Sequence, residues 1–589
     1  MRNVITPIKI AMACLLSSSA AIAHSATLDT CAAPAIAPLP ILPDTALSAL
    51  SCKPRLEIEL ALDEYEPASL VIRSSVDVPD LTIAASELRN GANTIAAIDI
   101  RYVKTWYQSN TAWQATTQQG QGRKLVPELL LRDPDLIRVD HTARKNFAGL
   151  DFAAGRRYVD ISDPAPKKDR VVTPIAQFPI ADADTLRPLS LARQQTQQLW
   201  LTVSAPPTAV PGRYIGRIAL RSKQLGIEQN VPVTVNVRPF QLGAPDLIYS
   251  IYYRGLLDED GQGSISSELK TEQQMAAEYR NMRQHGISNP TIYQPPNNFA
   301  LLDQVLNIRK QAGIGNAQLY YLGIKTENYG DLRSLNARYR LFQDVSKRAA
   351  RHGTEKIYIY AIDEADFSDI QKQLPVWTKF RQLGAGIFAA DWKHGLVEQY
   401  AGKLELLVSG ITPDLESNRY LQQQGTRVFA YNRPQVGVEN PYVYRRNYGL
   451  QAWQNGFDGV MNYAYQHSMA DIWNDFDQPT FRDHAFAYPT RNGVIDTLAW
   501  EGFREAVDDV RYLSTLRTLA EQAGSRGDLH FIQTLRTANI ANEDTLRGQL
   551  AERIEALCAK PHGGQLVLCR SAAPAPVTDF EAIHDDSRG

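Results

Sequence analysis

The chain has 589 residues, of which 44% are hydrophobic and 21% charged, so it can bury several cores and lacks the composition of a disordered protein. Its 62 lysines and arginines nearly balance its 64 aspartates and glutamates, which gives a formal net charge of -2. This balance, without a run of basic residues, argues against a nucleic-acid-binding protein and against attachment to an anionic membrane surface.

The N-terminal region has the pattern of a secretory signal peptide (1–23). Arg2 and Lys9 form a short basic region, residues 10–23 are apolar or small, and residues 21–23 (Ala-Ile-Ala) fit a cleavage site. The apolar run is shorter than the roughly 20 residues that a membrane-spanning helix needs. We therefore predict export to the periplasm or the extracellular space, without a membrane span.

The cysteines agree with an oxidising compartment. Of the five, four lie beyond the predicted signal peptide, as two pairs that are close in sequence: Cys31 with Cys52, and Cys558 with Cys569. In an exported protein this spacing favours the disulfides Cys31–Cys52 and Cys558–Cys569, although two other pairings remain open. The ten histidines show no paired metal-ligand spacing, so we predict neither a metal nor a cofactor.

The rest of the chain divides into segments of different pattern. Residues 24–45 form a leader rich in proline and alanine, and residues 46–243 contain short runs of alternating apolar and polar residues, which predict a β-sandwich. Strands alternate with amphipathic helices in residues 244–523. A helical extension with a disulfide loop (524–570) and a tail predicted to be disordered (571–589) complete the chain.

Eight strand candidates in residues 244–523, each followed by a helix or a long loop, match the count of a (β/α)8 TIM barrel. They are Ser250–Tyr253, Asn289–Tyr293, Gln318–Leu322, Lys356–Ile362, Gly386–Asp391, Leu404–Ser409, Arg427–Tyr431 and Phe457–Tyr465. A doubly wound open sheet is the competing fold, but no glycine-rich dinucleotide loop follows the first strand. The predicted fold class is therefore multidomain α/β with all-β: a β-sandwich, a TIM barrel and a short helical extension.

Candidate functional residues lie where the predicted barrel strands end, since active sites of such barrels occupy that face. The fourth strand ends in adjacent acids, Asp363 and Glu364. Adjacent carboxyls suit hydrolysis of an N-acetylated sugar whose own acetamido oxygen attacks the anomeric carbon: one protonates the leaving oxygen and its neighbour orients the acetamido N–H. Asp391, at the fifth exit, is a spare acid for the alternative of a protein nucleophile.

Other residues at these exits could bind a sugar through aromatic platforms and hydrogen bonds. The predicted substrate-binding residues are Tyr253, Arg254, Asp391, Trp392, Tyr431, Asn432, Tyr463, Tyr465 and Trp473. The alternative for each aromatic side chain is packing between the barrel and its helices. On the last barrel helix, Trp500 and Phe503 are predicted to be core residues, and Arg504 and Asp508 to form a surface ion pair.

Short motifs between Ile58 and Leu516 resemble glycoside hydrolase family 123, whose known members are exo-acting β-N-acetylgalactosaminidases. The resembling segments are Glu64-Tyr65-Glu66-Pro67-Ala68, Pro211-Gly212-x-Tyr214-x-Gly216, Tyr253-Arg254-Gly255, His285-Gly286-Ile287-Ser288-Asn289-Pro290-Thr291, Tyr360-x-x-Asp363-Glu364 and Trp500-Glu501-Gly502-Phe503-Arg504-Glu505-x-x-Asp508-Asp509-x-x-Tyr512. The family usually continues Asp-Glu-Pro, whereas this chain has Ala365 followed by Asp366.

The resemblance implies a β-sandwich, a (β/α)8 barrel and retaining hydrolysis of terminal β-linked N-acetylhexosamine, GalNAc first, through an oxazolinium intermediate. It assigns the acid/base role to Glu364 and the acetamido-orienting role to Asp363. The implied partner is a glycan substrate. Two alternatives stay open: a glycosidase with a protein nucleophile acting on a sugar without an acetamido group, and a non-catalytic glycan-binding protein.

Overall fold

The computed structural model describes residues 28–37, 39–109, 122–165, 171–327, 330–393, 397–410, 415–431, 433–437, 440–468, 470–478, 482–560 and 566–570. The predicted signal peptide, the predicted disordered tail and Asn432 lie outside the described residues. Within the described ranges, no helix combines the length and the apolarity that crossing a bilayer requires.

The N-terminal part of the chain folds into β-sheets. Its strands are β1 (Leu28–Ala33), β2 (Leu56–Leu62), β3 (Glu64–Ser74), β4 (Val78–Ala85), β5 (Leu88–Asn90), β6 (Asn93–Ile95), β7 (Asp99–Ser109), β8 (Arg123–Leu131), β9 (Ile137–Asp140), β10 (Lys145–Phe152), β11 (Gly155–Asp160), β12 (Leu189–Leu191), β13 (Thr196–Ala205), β14 (Gly212–Ser222) and β15 (Ile227–Gln241). One sheet has the order β1-β3-β13-β7-β8 and another β12-β4-β14-β15-β2, while β9, β10 and β11 form a small third sheet.

Alternating side chains in these strands create a shared core. In β2, Leu56, Ile58 and Leu60 are buried and the intervening glutamates are exposed, because successive residues of a strand face opposite sides. The same core contains Ile72 from the first sheet and Leu220 from the second. The two sheets therefore pack as layers on common apolar side chains.

A parallel sheet of seven strands follows. Its strands are β16 (Ile248–Ile251), β17 (Gln318–Lys325), β18 (Lys356–Tyr360), β19 (Gly386–Asp391), β20 (Leu406–Ser409), β21 (Arg427–Ala430) and β22 (Gly459–Asn462). The order β16-β22-β21-β20-β19-β18-β17 places the first strand beside the last. Seven of the eight predicted strands are thus present, and their carboxyl ends share one edge.

The second predicted strand in chain order, Asn289–Tyr293, is a correction: it makes a single parallel bridge, from Ile292 to Tyr321, instead of a strand. Pro290 has no N–H for a regular ladder, which explains the irregularity. The segment still lies between β16 and β17, because the N–H of Thr291 donates to Ile251 and the N–H of Ile292 donates to Tyr320. The structure therefore contains a curled seven-stranded sheet with a bridging segment at the gap.

The helices lie mainly between the parallel strands and after them. They are α1 (Glu272–Gln284), α2 (Phe299–Gln311), α3 (Leu332–Ala350), α4 (Phe367–Gln382), α5 (Val397–Tyr400), α6 (Leu415–Gln423), α7 (Pro441–Tyr448), α8 (Leu450–Gln454), α9 (Leu498–Ala523), α10 (Arg526–Leu535) and α11 (Glu543–Cys558). Two short hairpins pair β23 (Gln466–His467) with β24 (His484–Ala485), and β25 (Ala487–Pro489) with β26 (Val494–Asp496). Helix α1 begins with a capping box between Thr271 and Gln274.

Helix α9 is buried along most of its length, which corrects one prediction. Trp500 and Phe503 are core residues as predicted, but Arg504 and Asp508 are also buried. They pair with Glu501 and Arg511, not with each other. The polar side of α9 is covered by the N-terminal sheets, where Trp200 Nε1 donates to Glu501 at 3.1 Å.

Both predicted disulfides are present, with S–S distances of 1.99 Å for Cys31–Cys52 and 1.94 Å for Cys558–Cys569. The first joins β1 to the loop before β2, and the second joins the end of α11 to a short segment beside β15. Two disulfides are compatible with an exported protein.

A buried cluster of carboxylates around Arg547 joins α11 to α9 and β3. The Arg547 guanidinium lies 2.8 Å from Glu505, 2.6 Å from Asp509 and 2.9 Å from Glu66. Burial raises the pKa of Glu64, in the same cluster, to about 7, and the pKa of Glu505 also to about 7, although Arg547 opposes both shifts. The cluster therefore holds protons that an unfolded chain would release.

We expect the unfolding temperature to fall as pH rises from about 5 to 8. Between the ordinary pKa of 4.5 and the folded value of about 7, the folded protein binds more protons at Glu64 than the unfolded chain, so its stability decreases with rising pH. Differential scanning fluorimetry across this range should give a shallower slope for Glu64→Gln, which cannot ionise. Identical slopes for the variant and the wild type would contradict this origin of the pH dependence.

Candidate active site

The acidic residues predicted from sequence meet at the carboxyl edge of the parallel sheet. Asp363 and Glu364 lie in the loop after β18, and Asp391 is the last residue of β19. Tyr431 follows β21 and Tyr463 follows β22. Carboxyl ends of parallel strands lie at one edge of a sheet, so side chains distant in sequence meet there, and we call the space that they border the cleft.

Two hydrogen-bond donors fix the carboxylate of Glu364. Trp392 Nε1 donates to Oε2 at 2.8 Å, and the Tyr431 hydroxyl donates to Oε1 at 3.0 Å. Gln435 Nε2 in turn donates to the Tyr431 hydroxyl at 3.2 Å. Glu364 is partly exposed and Trp392 is 49% exposed, so a substrate can reach this carboxylate.

Asp363 faces a group of tyrosines. The Tyr360 hydroxyl donates to Asp363 Oδ1 at 2.5 Å, and the hydroxyls of Tyr360 and Tyr252 lie 3.4 Å apart. The carboxylate is open to the cleft, yet the surrounding protein displaces much of the water around it and so raises its pKa; the adjacent Glu364 raises it further, while the Tyr360 hydrogen bond lowers it. Only one of its oxygens carries this hydrogen bond from Tyr360, so the other is available to a ligand.

Arg254 belongs to a second polar group of the cleft. Its Nη1 donates to the Tyr463 hydroxyl at 3.3 Å, and its Nη2 forms an ion pair with Glu268. The guanidinium lies 5.4 Å from the centre of the Tyr293 ring. The charge of Asp363 raises the pKa values of Tyr293 and Tyr463, after the larger effect of burial, so this group lies within electrostatic range of the acidic pair. Sugar hydroxyls could bind here.

Asp391 is close to the acidic pair but faces the protein. Only 1% of its surface is exposed. Oδ2 accepts a hydrogen bond from the Tyr400 hydroxyl, and Oδ1 accepts one from the N–H of Lys393, each at 2.8 Å. Burial raises its pKa. This carboxylate is therefore a buried anchor for the loop after β19, which corrects its prediction as a substrate-binding residue.

Three predicted sugar-binding residues pack elsewhere, which is a further correction. Tyr253 is buried and donates to Glu278 at 2.6 Å, and Tyr465 is buried and donates to Asn281 at 2.9 Å. Trp473 packs between the rings of Trp106 and Tyr488. Asn432 lies outside the described residues and remains a prediction.

Sequence reasoning missed Tyr252 and Glu268. Adjacent residues at the end of a strand face opposite sides, so only one of Tyr252 and Tyr253 can face the acidic pair. The structure selects Tyr252, whose ring lies 5.4 Å from that of Tyr463. Tyr249, Ile251 and Tyr253 pack in one core, whereas Ile248 and Tyr252 pack in another, so the alternation along β16 is the signal that could have found Tyr252. Glu268 lies in a loop, where no periodic pattern points to it.

Among the described residues, one cluster has the side chains of a metal site: His285, Asp496 and Glu501, with ligand atoms within 4.8 Å of one another. The charge of Glu501 is already compensated. Arg504 pairs with Glu501 and lowers its pKa, although burial opposes this shift. The cluster therefore makes a poor cation site, and it lies at the interface with the N-terminal sheets.

Comparison with known proteins gives a likeness of fold. Neither a protein-family model nor a curated protein sequence matches the chain. A solved family 123 glycoside hydrolase from Clostridium perfringens, analysed for glycolipid glycan hydrolysis, superposes with a TM-score of 0.62 at 11% identity, covering 90% of this chain and 98% of that chain.

Two other solved structures are less similar. A β-glucuronidase from Parabacteroides merdae has a TM-score of 0.30 at 10% identity, over 75% of this chain and 67% of that chain. An endo-β-1,4-mannanase from Thermotoga petrophila has a TM-score of 0.29 at 12% identity, over 46% and 77%. Of these three structures, the family 123 glycoside hydrolase alone has a TM-score above 0.5, and its fold is similar to that of this chain over most of both chains, in agreement with the resemblance seen in the motifs.

Proposed function

We propose that the protein is an exported, retaining glycoside hydrolase that removes terminal β-linked N-acetylhexosamine, GalNAc first, by substrate-assisted catalysis. The observation that carries the proposal is the pair Asp363 and Glu364 in one cleft, each held by aromatic hydrogen-bond donors, in a fold similar to that of a family 123 hydrolase. We also take the two N-terminal sheets as a β-sandwich, formed by the predicted sandwich segment (46–243) together with β1 from the predicted leader, and the curled sheet with its bridging segment as a (β/α)8 barrel (244–523).

Glu364 is the acid and base of this proposal. Its carboxyl proton goes to the glycosidic oxygen as the bond from that oxygen to the anomeric carbon breaks. The same carboxylate then removes a proton from the water that attacks the anomeric carbon. Tyr431 suits both stages, because a hydroxyl that receives a hydrogen bond from Gln435 can either donate to Glu364 or rotate away from it.

Asp363 orients the nucleophile that the substrate supplies. Its free oxygen accepts the acetamido N–H, which directs the acetamido carbonyl oxygen to the anomeric carbon and stabilises the positive charge that develops on the oxazolinium ring. The carboxylate must be ionised for this role. The hydrogen bond from Tyr360 to Oδ1 favours the ionised form and fixes the orientation of the group.

The remaining cleft residues divide between the two sides of the scissile bond. Trp392 contacts the proposed acid, so its half-exposed ring lies on the leaving-group side and can stack on an aglycone sugar. Arg254 and Glu268, with Tyr463, offer donors and acceptors for hydroxyls of the terminal sugar.

Product stereochemistry tests the proposal directly. Proton NMR of a β-GalNAc substrate during hydrolysis should show the β-anomer of the free sugar first, because two inversions at the anomeric carbon give net retention. Initial release of the α-anomer would exclude the oxazolinium route. Tight glycan binding without any hydrolysis would favour the alternative of a non-catalytic binding protein.

Asp391 separates the proposal from a glycosidase with a protein nucleophile. We expect Asp391→Asn to keep kcat within about tenfold of the wild type, because this side chain positions a loop and has no free oxygen for a sugar. Steady-state kinetics on an aryl β-glycoside measure the effect. A loss of several orders of magnitude, with rescue by azide, would instead identify Asp391 as the nucleophile.

A further inference from the structure

The backbone of Glu364 has an unusual conformation. Its φ angle is 47°, in the left-handed region that side chains with a Cβ rarely adopt. Such a conformation persists only where surrounding contacts hold it, and it is found frequently at functional sites. The direction of the Glu364 carboxyl therefore depends on whatever fixes its two peptide groups.

Lys393 holds the carbonyl side of Glu364. Lys393 Nζ donates to the Glu364 carbonyl oxygen at 2.6 Å and to Asp366 Oδ1 at 2.8 Å. The N–H of Glu364 donates to the carbonyl of Ala390 at 3.1 Å. Both peptide groups of Glu364 are thus tied to β19 and to the residues that follow it.

The loop that carries Lys393 is itself anchored. The N–H of Lys393 donates to Asp391, whose other oxygen accepts from Tyr400. The ammonium can therefore act as a fixed support and not as a free surface group. The ion pair with Asp366 does not by itself fix the position of the Lys393 ammonium, because 78% of the Asp366 side chain is exposed and exposed ion pairs contribute little to stability.

The two residues that follow Glu364 are compatible with its left-handed backbone and with its contact to Lys393. A proline at position 365 would restrict Glu364 to extended backbone conformations, which disagree with its φ of 47°. Ala365 permits the left-handed conformation, and Asp366 supplies an anion that keeps the Lys393 ammonium over the Glu364 carbonyl.

We propose that Lys393 is a positioning residue that fixes the left-handed backbone of Glu364 and so aims its carboxyl at the leaving oxygen. The inference rests on the acid role of Glu364 given above. Lys393 does not touch the reacting atoms. It acts through the carbonyl of the residue that does, and Asp366 assists by holding the ammonium in place.

The test compares leaving groups, because only acid catalysis depends on them. Lys393→Met should lower kcat about 10- to 100-fold on a β-glycoside with a poor leaving group, and less than about threefold on the dinitrophenyl glycoside, with KM unchanged. Lys393→Arg keeps a cationic donor and should recover most of the loss. Lys372→Met is the matched control, since it removes a lysine of α4 whose exposed ion pair is with Asp369 and not with Glu364 or Asp366.

Equal losses on both leaving groups, or no loss on either, would overturn the proposal. Crystal structures of the wild type and of Lys393→Met provide a second measurement that does not need turnover. The proposal expects Glu364 to leave the left-handed region in the variant, and an unchanged φ would overturn it. A wild type without any hydrolysis would remove the proposed function, and the two structures would still decide whether Lys393 holds Glu364.

Discussion

Glu364→Gln should lower kcat about 10²- to 10⁴-fold on a β-linked N-acetylhexosamine with a sugar or alkoxide leaving group. The amide has the same size and can still accept a hydrogen bond from Trp392, but it has no proton to give to the glycosidic oxygen. The dinitrophenyl glycoside, whose leaving group departs without protonation, should lose much less in the first step. Steady-state kinetics on the two substrates measure the difference.

Glu259→Gln is a suitable control for this variant. Glu259 is an exposed glutamate whose Oε1 accepts a hydrogen bond from Asn298, and it is not a member of the acidic pair. It should leave both rates unchanged. A Glu364→Gln enzyme with wild-type activity on the poor leaving group would show that the acid is another residue.

Asp363→Asn should lower kcat about 10²- to 10³-fold while the protein stays folded. Asparagine still accepts the Tyr360 hydrogen bond but lacks the negative charge that orients the acetamido group and stabilises the oxazolinium ion. Because this charge acts on the nucleophile and not on the leaving group, the loss should be similar for good and poor leaving groups. That pattern distinguishes Asp363 from Glu364.

The pH dependence of kcat also tests the role of Asp363. Asp363 must be ionised, and the protein around it raises its pKa above the ordinary 3.8, so activity should fall as pH decreases through that raised value. The Asp363→Asn enzyme should lack this acidic limb. A pH–kcat profile of wild-type shape in the variant would assign the limb to another group.

The sequence predicts the acidic pair and the disulfides because their signals are local. Asp363 and Glu364 end a strongly apolar run, and in β18 the residues Ile357 to Tyr360 are all buried. The cysteines of each pair are close in sequence, and export favours their oxidation; the two other pairings were excluded by the structure. Such features need no knowledge of which strands become neighbours.

Other features depend on register and on distant contacts. The choice between Tyr252 and Tyr253 depends on a one-residue alternation, which reverses the direction of the side chain. The burial of Asp391 depends on Tyr400, and the position of the Glu364 backbone depends on Lys393, 29 residues later in the chain. No local pattern marks such contacts, so the full geometry was needed to find them.

The most direct test of the account is hydrolysis of nitrophenyl β-GalNAc and β-GlcNAc by the purified mature protein, with and without the matching thiazoline. Thiazolines mimic the oxazoline that the substrate's acetamido group would form, so they inhibit only an enzyme that stabilises that ring. We expect turnover, faster with GalNAc, that the thiazoline blocks and that Glu364→Gln lowers most strongly where the leaving group is poor. Turnover insensitive to the thiazoline, or a folded protein inactive on both sugars, would contradict it.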